Sequence, residues 1–140
     1  MNIVICGSST FCKEMVEIRD KLNDMGHQGI INHYYEELAA GRMPELMERI
    51  NREHAQVKKE YGFMHWYYDA IRNSDGVLIL NYDKNGVSNC IGGNTFLEMG
   101  CAHMHHKKIF LLNPIPKMSY TEELEAMDPI ILNGDLSKIK

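Results

Sequence analysis

Apolar residues occur along this chain as short unbroken runs that alternate with stripes spaced three or four positions apart. The runs cover residues 2–6, 28–32, 76–81 and 108–112. Unbroken runs of this length predict strands that are buried on both faces of a parallel sheet. The stripes predict amphipathic helices that follow residue 11, begin at Pro44, follow Gly62 and open near Thr95.

The end of the chain continues this alternation. Ser119 and Glu122 have capping-box spacing and predict a helix over residues 119–127. Pro129 ends this helix, and residues 129–132 are predicted as a last edge strand. Strands that alternate with helices are typical of parallel α/β folds. The sequence therefore predicts one α/β domain, residues 1–140, a three-layer sandwich with about five mostly parallel strands of the Rossmann-like or flavodoxin-like type.

Residues 75–113 form the unit around which a site is predicted. They comprise a strand, a polar glycine-bearing loop over residues 83–94, a helix and a second strand. In a parallel sheet such a loop lies at the carboxyl edge, where open α/β folds bind ligands. Glu98 lies about one turn into the predicted helix and is therefore the first candidate for chemistry at this edge.

Composition limits the kind of ligand. The formal net charge is −4, and the basic residues are scattered along the chain, so no nucleic-acid partner is predicted. No apolar run approaches the ~20 residues of a membrane span, and no export signal is recognisable. Four cysteines without C-x-x-C spacing favour the reducing cytoplasm. A small molecule is the expected ligand.

Two further polar segments are expected at the same edge of the sheet. The first strand leads into Gly7, Ser8, Ser9 and Thr10. Their hydroxyls can cap the next helix, and their backbone N–H groups can equally hold a phosphate or a sugar oxygen. Tyr34 and Tyr35 follow the second strand as a possible wall of the pocket, and Asn81 ends the central strand.

The residues alone leave two interpretations of Glu98 open. Thr95 and Glu98 have capping-box spacing, and acidic side chains are favoured near helix N-termini, so Glu98 can simply stabilise a helix. The same position beside a glycine loop suits a carboxylate nucleophile.

No cofactor or metal site is predicted. Neither G-x-G-x-x-G nor the P-loop pattern occurs. His103 and His106 are one helical turn apart, but cations near a helix C-terminus complement its dipole, and no nearby cysteine or carboxylate completes a metal site.

Four segments, IVICGSS, SDGVLILNYD, GGNTFLEMGCAH and KKIFLL, carry a resemblance that covers nearly the whole chain. They resemble the nucleoside 2-deoxyribosyltransferase-like superfamily, which includes the 2'-deoxynucleoside 5'-phosphate N-hydrolases. The most specific element is the Glu-x-Gly-x-Ala pattern that begins at Glu98, behind the glycine-rich loop.

The resemblance implies that Glu98 attacks the anomeric carbon of a nucleoside or nucleotide and forms a covalent glycosyl-enzyme, which water or a second base resolves. It further implies a homodimer or larger homo-oligomer in which the neighbouring subunit completes the pocket. The substrate-binding residues it indicates are Cys6, Gly7, Ser8, Ser9, Thr10, Tyr34, Asn81, Gly93 and Asn94.

The chain departs from the superfamily pattern at four places, one of which is Phe96 where the superfamily has Gly two residues before the Glu. Tyr67 stands where the superfamily has a catalytic Asp, and Asp83 on the loop is the predicted replacement acid. Gly92 stands where the superfamily has Ser or Asp. Glu125 lies where the partner subunit is expected to meet the substrate, and its charge would repel a 5'-phosphate, which favours a nucleoside or modified nucleotide. The alternatives are a non-catalytic nucleotide or nucleoside sensor with the same pocket and a structural subunit.

Overall fold

Five short strands form a sheet at the centre of the computed structural model, which describes residues 1–140. They are β1 (Asn2–Cys6), β2 (Gln28–Ile30), β3 (Gly76–Ile79), β4 (Lys108–Leu111) and β5 (Ile130–Ile131). All neighbouring strands are parallel, in the order β2-β1-β3-β4-β5. The α/β fold class and the strand number predicted from the sequence are therefore confirmed.

Seven α-helices cover the sheet. They are α1 (Cys12–Asp24), α2 (His33–Ala39), α3 (Pro44–Arg52), α4 (His54–Tyr61), α5 (Phe63–Arg72), α6 (Gly93–Met104) and α7 (Thr121–Ala126), with short 3₁₀ turns at Ser9–Phe11 and Leu136–Lys138. Helix α1 packs against α2, and α5 packs against α6. None of the helices combines the length and apolar character that crossing a bilayer requires.

The starts of α2 and α7 differ from the sequence prediction. The Asn32 side chain accepts a hydrogen bond from the Tyr34 backbone N at 2.9 Å, so the aromatic residues after β2 form helix α2, which the sequence did not predict. The predicted Ser119 capping box is wrong. Helix α7 begins at Thr121, because the Thr121 hydroxyl accepts from the Met118 backbone N at 2.7 Å and the chain before it stays irregular.

The strand order determines where a ligand can bind. The chain moves outward from β1 to β2, and from β3 to β4 and β5 on the other side. The connections after β1 and β3 therefore diverge and leave a crevice at the carboxyl ends of these two strands. The loops that follow β1 and β3 are the two that carry most of the sequence-predicted site residues.

Candidate active site

A cavity of about 290 Å³ lies in this crevice. One wall is the turn after β1, and another is the loop and helix start that follow β3. Helices α2, α3, α4 and α5 contribute the remaining side chains. The volume is near the lower end of the range for small-molecule sites.

Helix α6 begins earlier than the sequence suggested. Its first residue is Gly93, and Gly92 precedes it without a side-chain hydrogen bond to the helix. Thr95 is therefore the third residue of the helix rather than its cap, and Glu98 is the sixth. The capping-box interpretation of Glu98 is wrong, and its position needs another explanation.

Glu98 occupies a position that normally holds an apolar core residue. The buried residues of α6 are Thr95, Glu98, Met99 and Ala102, which form one stripe on the side that faces the protein interior. The exposed fraction of Glu98 is 3%. Unpaired glutamates are almost never buried to this extent, because a buried carboxylate loses its hydration.

The carboxylate of Glu98 has no hydrogen-bond donor in the protein. Burial raises its pKa to about 8, and the positive charge of Lys58 lowers the pKa by a smaller amount. Every fully buried side-chain nitrogen or oxygen in this protein has a hydrogen-bond partner. Because the two Glu98 carboxylate oxygens have none, both must keep some solvent-accessible area. Glu98 is not itself part of the cavity surface.

The surroundings of Glu98 nevertheless connect it to the cavity. Its charge contributes to the raised pKa values of Tyr35 and Tyr67, for which burial is the larger cause. Both tyrosines line the cavity, as does Lys58. Glu98 is therefore a carboxyl group placed behind the cavity wall, among side chains that face the cavity.

Five of the predicted substrate-binding residues line the cavity: Gly7, Ser8, Ser9, Gly93 and Asn94. The Ser8 hydroxyl accepts a hydrogen bond from the Lys84 Nζ at 2.7 Å, which links the turn after β1 to the loop after β3. The same hydroxyl accepts from the Thr10 backbone N at 3.3 Å. The turn is thus both a cap and a cavity wall.

The other four predicted residues, Cys6, Thr10, Tyr34 and Asn81, lie outside the cavity. Cys6 is 1% exposed at the end of β1 and belongs to the core. Thr10 is exposed and does not line the cavity. Tyr34 is half-buried against Tyr61, and its neighbour Tyr35 lines the cavity instead. The aromatic pair lies at the expected edge of the sheet, but helix α2 turns the second ring inward.

Asn81 holds the sheet together rather than facing a ligand. Its Nδ2 donates to the carbonyl oxygens of Asn113 and Pro114 at 2.9 and 3.0 Å. Its Oδ1 accepts from the Asn113 backbone N at 2.9 Å. These bonds join the chain after β3 to the chain after β4, and the side chain is completely buried.

We expect Asn81→Ala to destabilise the protein by about 1–3 kcal/mol, because it removes three hydrogen bonds to part-buried backbone groups of Asn113 and Pro114. Urea denaturation measures this loss. The control is Asn51→Ala at an exposed position, where a change within about 0.5 kcal/mol is expected. Equal stabilities of the two variants would contradict the assigned role of Asn81.

Asp83 is exposed, and its Oδ1 accepts a hydrogen bond from the Asn89 backbone N at 2.9 Å. It closes the loop over residues 83–89 and does not line the cavity. This position does not support its predicted role as the replacement acid. No aspartate or glutamate lines the cavity.

Sequence reasoning missed three basic side chains on the cavity wall: His54, Lys58 and Lys84. Burial lowers the pKa of His54, and the charges of Lys58 and Lys84 lower it further. Neither lysine forms an ion pair, whereas every arginine of the chain does. Lys84 lies in the predicted loop and could have been found there, but Lys58 reaches the cavity only through tertiary packing.

The fold is an α/β fold of the doubly wound type, with a cavity at the switch point of its sheet. Neither a family model nor a curated protein matches the sequence. Among solved structures, the CMP N-glycosidase BcmB of Clostridium botulinum is similar, with 14% identity, a TM-score of 0.46, and coverage of 94% of this chain and 85% of that chain. The roles of individual residues therefore depend on the geometry of the site itself.

Proposed function

We propose that this protein is an N-glycosidase or glycosyl transferase of the nucleoside 2-deoxyribosyltransferase-like superfamily. The observation that carries the proposal is a single glutamate, without a hydrogen-bond donor, buried behind a cavity at the switch point of the sheet. A purely structural glutamate would have no reason to stay unpaired at such a cost.

In the proposed reaction, an oxygen of the ionised Glu98 carboxylate attacks the anomeric carbon of the sugar. The bond from that carbon to the base breaks, its electron pair goes to the base nitrogen, and the base takes up a proton from water in the cavity. Water or a second base then attacks the same carbon and releases the carboxylate. Contact with the sugar requires the Glu98 side chain to turn toward the cavity.

The charge of the cavity favours a nucleotide as the substrate. Lys58 and Lys84 supply positive charge, and the N-terminus of α6 adds the positive end of its dipole. Glu125 is exposed on α7 and does not line the cavity of its own chain. This positive charge is the reason to propose a nucleotide, and the expectation that Glu125 of a neighbouring subunit would repel a 5'-phosphate stays a prediction.

A second candidate function is a nucleotide sensor without turnover. It is favoured by the absence of any carboxylate among the cavity-lining residues, since a retaining glycosidase normally uses a second carboxyl group as its proton donor. A sensor would bind the same nucleotide and leave its glycosidic bond intact.

Incubation of the purified protein with 2'-deoxynucleosides, ribonucleosides and their 5'-monophosphates, with and without free bases, tests the proposal. Chromatography should reveal free base or an exchanged nucleotide. Ligand-induced thermal stabilisation without product would favour the sensor, because stabilisation follows the ratio of ligand concentration to Kd. The absence of both product and thermal stabilisation would exclude both functions.

The homodimer stays a prediction, which sedimentation of the same sample would test.

Lys84→Met should raise KM for a 5'-monophosphate by about tenfold or more, because a charge-assisted hydrogen bond to phosphate is lost. KM for the matching nucleoside should change little. Steady-state kinetics with the substrate pair measures the difference, and Lys59→Met, at an exposed position of α4, is the control. Equal effects on the nucleotide and the nucleoside would contradict a phosphate near Lys84.

A further inference from the structure

A tyrosine outside the cavity contacts both ends of a segment that forms part of the cavity wall. Tyr120 precedes α7, and its hydroxyl donates a hydrogen bond to the carbonyl oxygen of Ile91. Its ring stacks on that of Phe96, with a centroid distance of 4.3 Å and an interplanar angle of 11°. Residues 92–95 lie between these two contacts, and all of them line the cavity, whereas Tyr120 does not.

Tyr120 is itself fixed by the start of α7. The Thr121 hydroxyl accepts a hydrogen bond from the Met118 backbone N at 2.7 Å and donates one to the Pro116 carbonyl oxygen at 2.8 Å. Leu124, on the first turn of the helix, is completely buried in the core. The ring and the hydroxyl of Tyr120 therefore extend toward α6 from an anchored part of the fold.

The segment over residues 92–95 has few contacts of its own that would hold it in place. A Cβ atom built on Gly92 or Gly93 would meet no other atom within 4 Å, so these two positions border open space. Glycine also samples more backbone conformations than other residues. The contacts that Tyr120 makes on either side of the segment therefore restrict a stretch of chain that is otherwise free to change its backbone geometry.

The same segment carries hydrogen-bond donors that the protein does not use. The backbone N–H groups of Gly93, Asn94 and Thr95 have no acceptor, because they belong to the first turn of α6. Lys84 and Ser8 line the same cavity. An anionic group of a ligand can pair with all of these donors only while the segment keeps its place beside them.

We propose that Tyr120 is a positioning residue, which holds residues 92–95 in the geometry that receives the phosphate of the substrate. Its hydrogen bond fixes the chain before Gly92, and its ring fixes the first turn of α6. The backbone N–H groups then meet the phosphate without a further loss of conformational entropy. This inference rests on the proposed function for the identity of the ligand, whereas the contacts of Tyr120 do not depend on it.

The test uses Tyr120→Phe, which loses the hydroxyl and keeps the ring stack. Phosphorus NMR and calorimetry measure Kd for inorganic phosphate, for the ribonucleoside 5'-monophosphates and for the matching nucleosides. Kd for phosphate and for the monophosphates should rise about two- to tenfold, and Kd for the nucleosides should change less than about twofold. The control is Tyr61→Phe, at a partly buried position of α4 outside the cavity, which should leave every Kd unchanged.

A second variant tests the other contact. Phe96→Leu removes the ring stack and keeps the Tyr120 hydroxyl, so it should weaken phosphate binding in the same direction. Hydrogen exchange of the Phe96 amide reports the order of the segment without any ligand, because this amide donates to the Gly92 carbonyl oxygen at 2.9 Å. Exchange should be about two- to tenfold faster in Tyr120→Phe than in the unmutated protein.

Unchanged phosphate binding in both folded variants would overturn the inference, and so would equal losses for monophosphates and nucleosides. Absence of phosphate binding by the unmutated protein would also overturn it, while base release from nucleosides would still support the proposed N-glycosidase function. Weakened phosphate binding in the variants without base release from any substrate would support the inference and contradict that function. The two failures are therefore distinguishable.

Discussion

Glu98→Gln should lower the rate of base release by at least about a thousandfold while leaving nucleotide binding largely intact. The amide has nearly the same size as the carboxyl group but cannot form the glycosyl ester, so the reaction loses its covalent step. Product formation measured by chromatography and binding measured by calorimetry test the two halves of this expectation.

The pH profile of the unmutated protein provides a second check on the same residue. Because burial raises the pKa of Glu98 to about 8, the free protein holds this group mostly protonated at pH 7. A nucleophile must be ionised, so kcat/KM should rise with pH up to about 8. A profile that falls over this range would indicate that Glu98 acts as an acid, and unchanged turnover by Glu98→Gln would exclude it from the chemistry.

Glu98→Gln should also stabilise the protein, and the gain should grow with pH. The folded pKa of about 8 lies above the ordinary value of 4.5, so the folded state binds the proton more tightly than the unfolded chain. The stability that this group contributes is therefore complete below pH 4.5 and is lost as pH rises through about 8. At about 1.4 kcal/mol per pKa unit, the loss is on the order of 5 kcal/mol.

Urea denaturation between pH 5 and pH 9 measures this difference. The amide that Glu98→Gln introduces does not titrate, so the stability curves for the variant and the unmutated protein should diverge up to about pH 8 and then run parallel. Glu17→Gln, at an exposed position of α1, is the control and should show no such divergence. Parallel curves over the whole range would contradict an unpaired buried carboxyl at position 98.

A residue that destabilises the fold and supports turnover is expected of an active site. Binding and catalytic groups are held in environments that a stability optimum would not select, and their replacement by inert groups commonly stabilises the protein. The two expectations for Glu98→Gln therefore belong together. Stabilisation without loss of turnover would mean that the carboxyl group is buried for another reason.

The sequence by itself determined the sheet and the region of the cavity. Unbroken apolar runs such as residues 76–81 must be covered on both faces, which requires central parallel strands with helices between them. Glycines and hydroxyl residues that follow such strands lie at the carboxyl edge of the sheet. The alternation of elements was therefore enough to expect Ser8, Ser9, Gly93 and Asn94 at this edge, where they line the cavity.

Only the tertiary structure decided which side chains meet there. A capping box and a buried carboxyl have the same local spacing, and the start of α6 at Gly93 separated them. Asn81 and Asp83 carry the right chemistry but use it on backbone groups, because buried or turning backbone must be hydrogen-bonded. Lys58 and Tyr67 reach the cavity from helices α4 and α5. The packing of these helices beside the turn after β1 is a tertiary contact, which leaves no local pattern in the sequence.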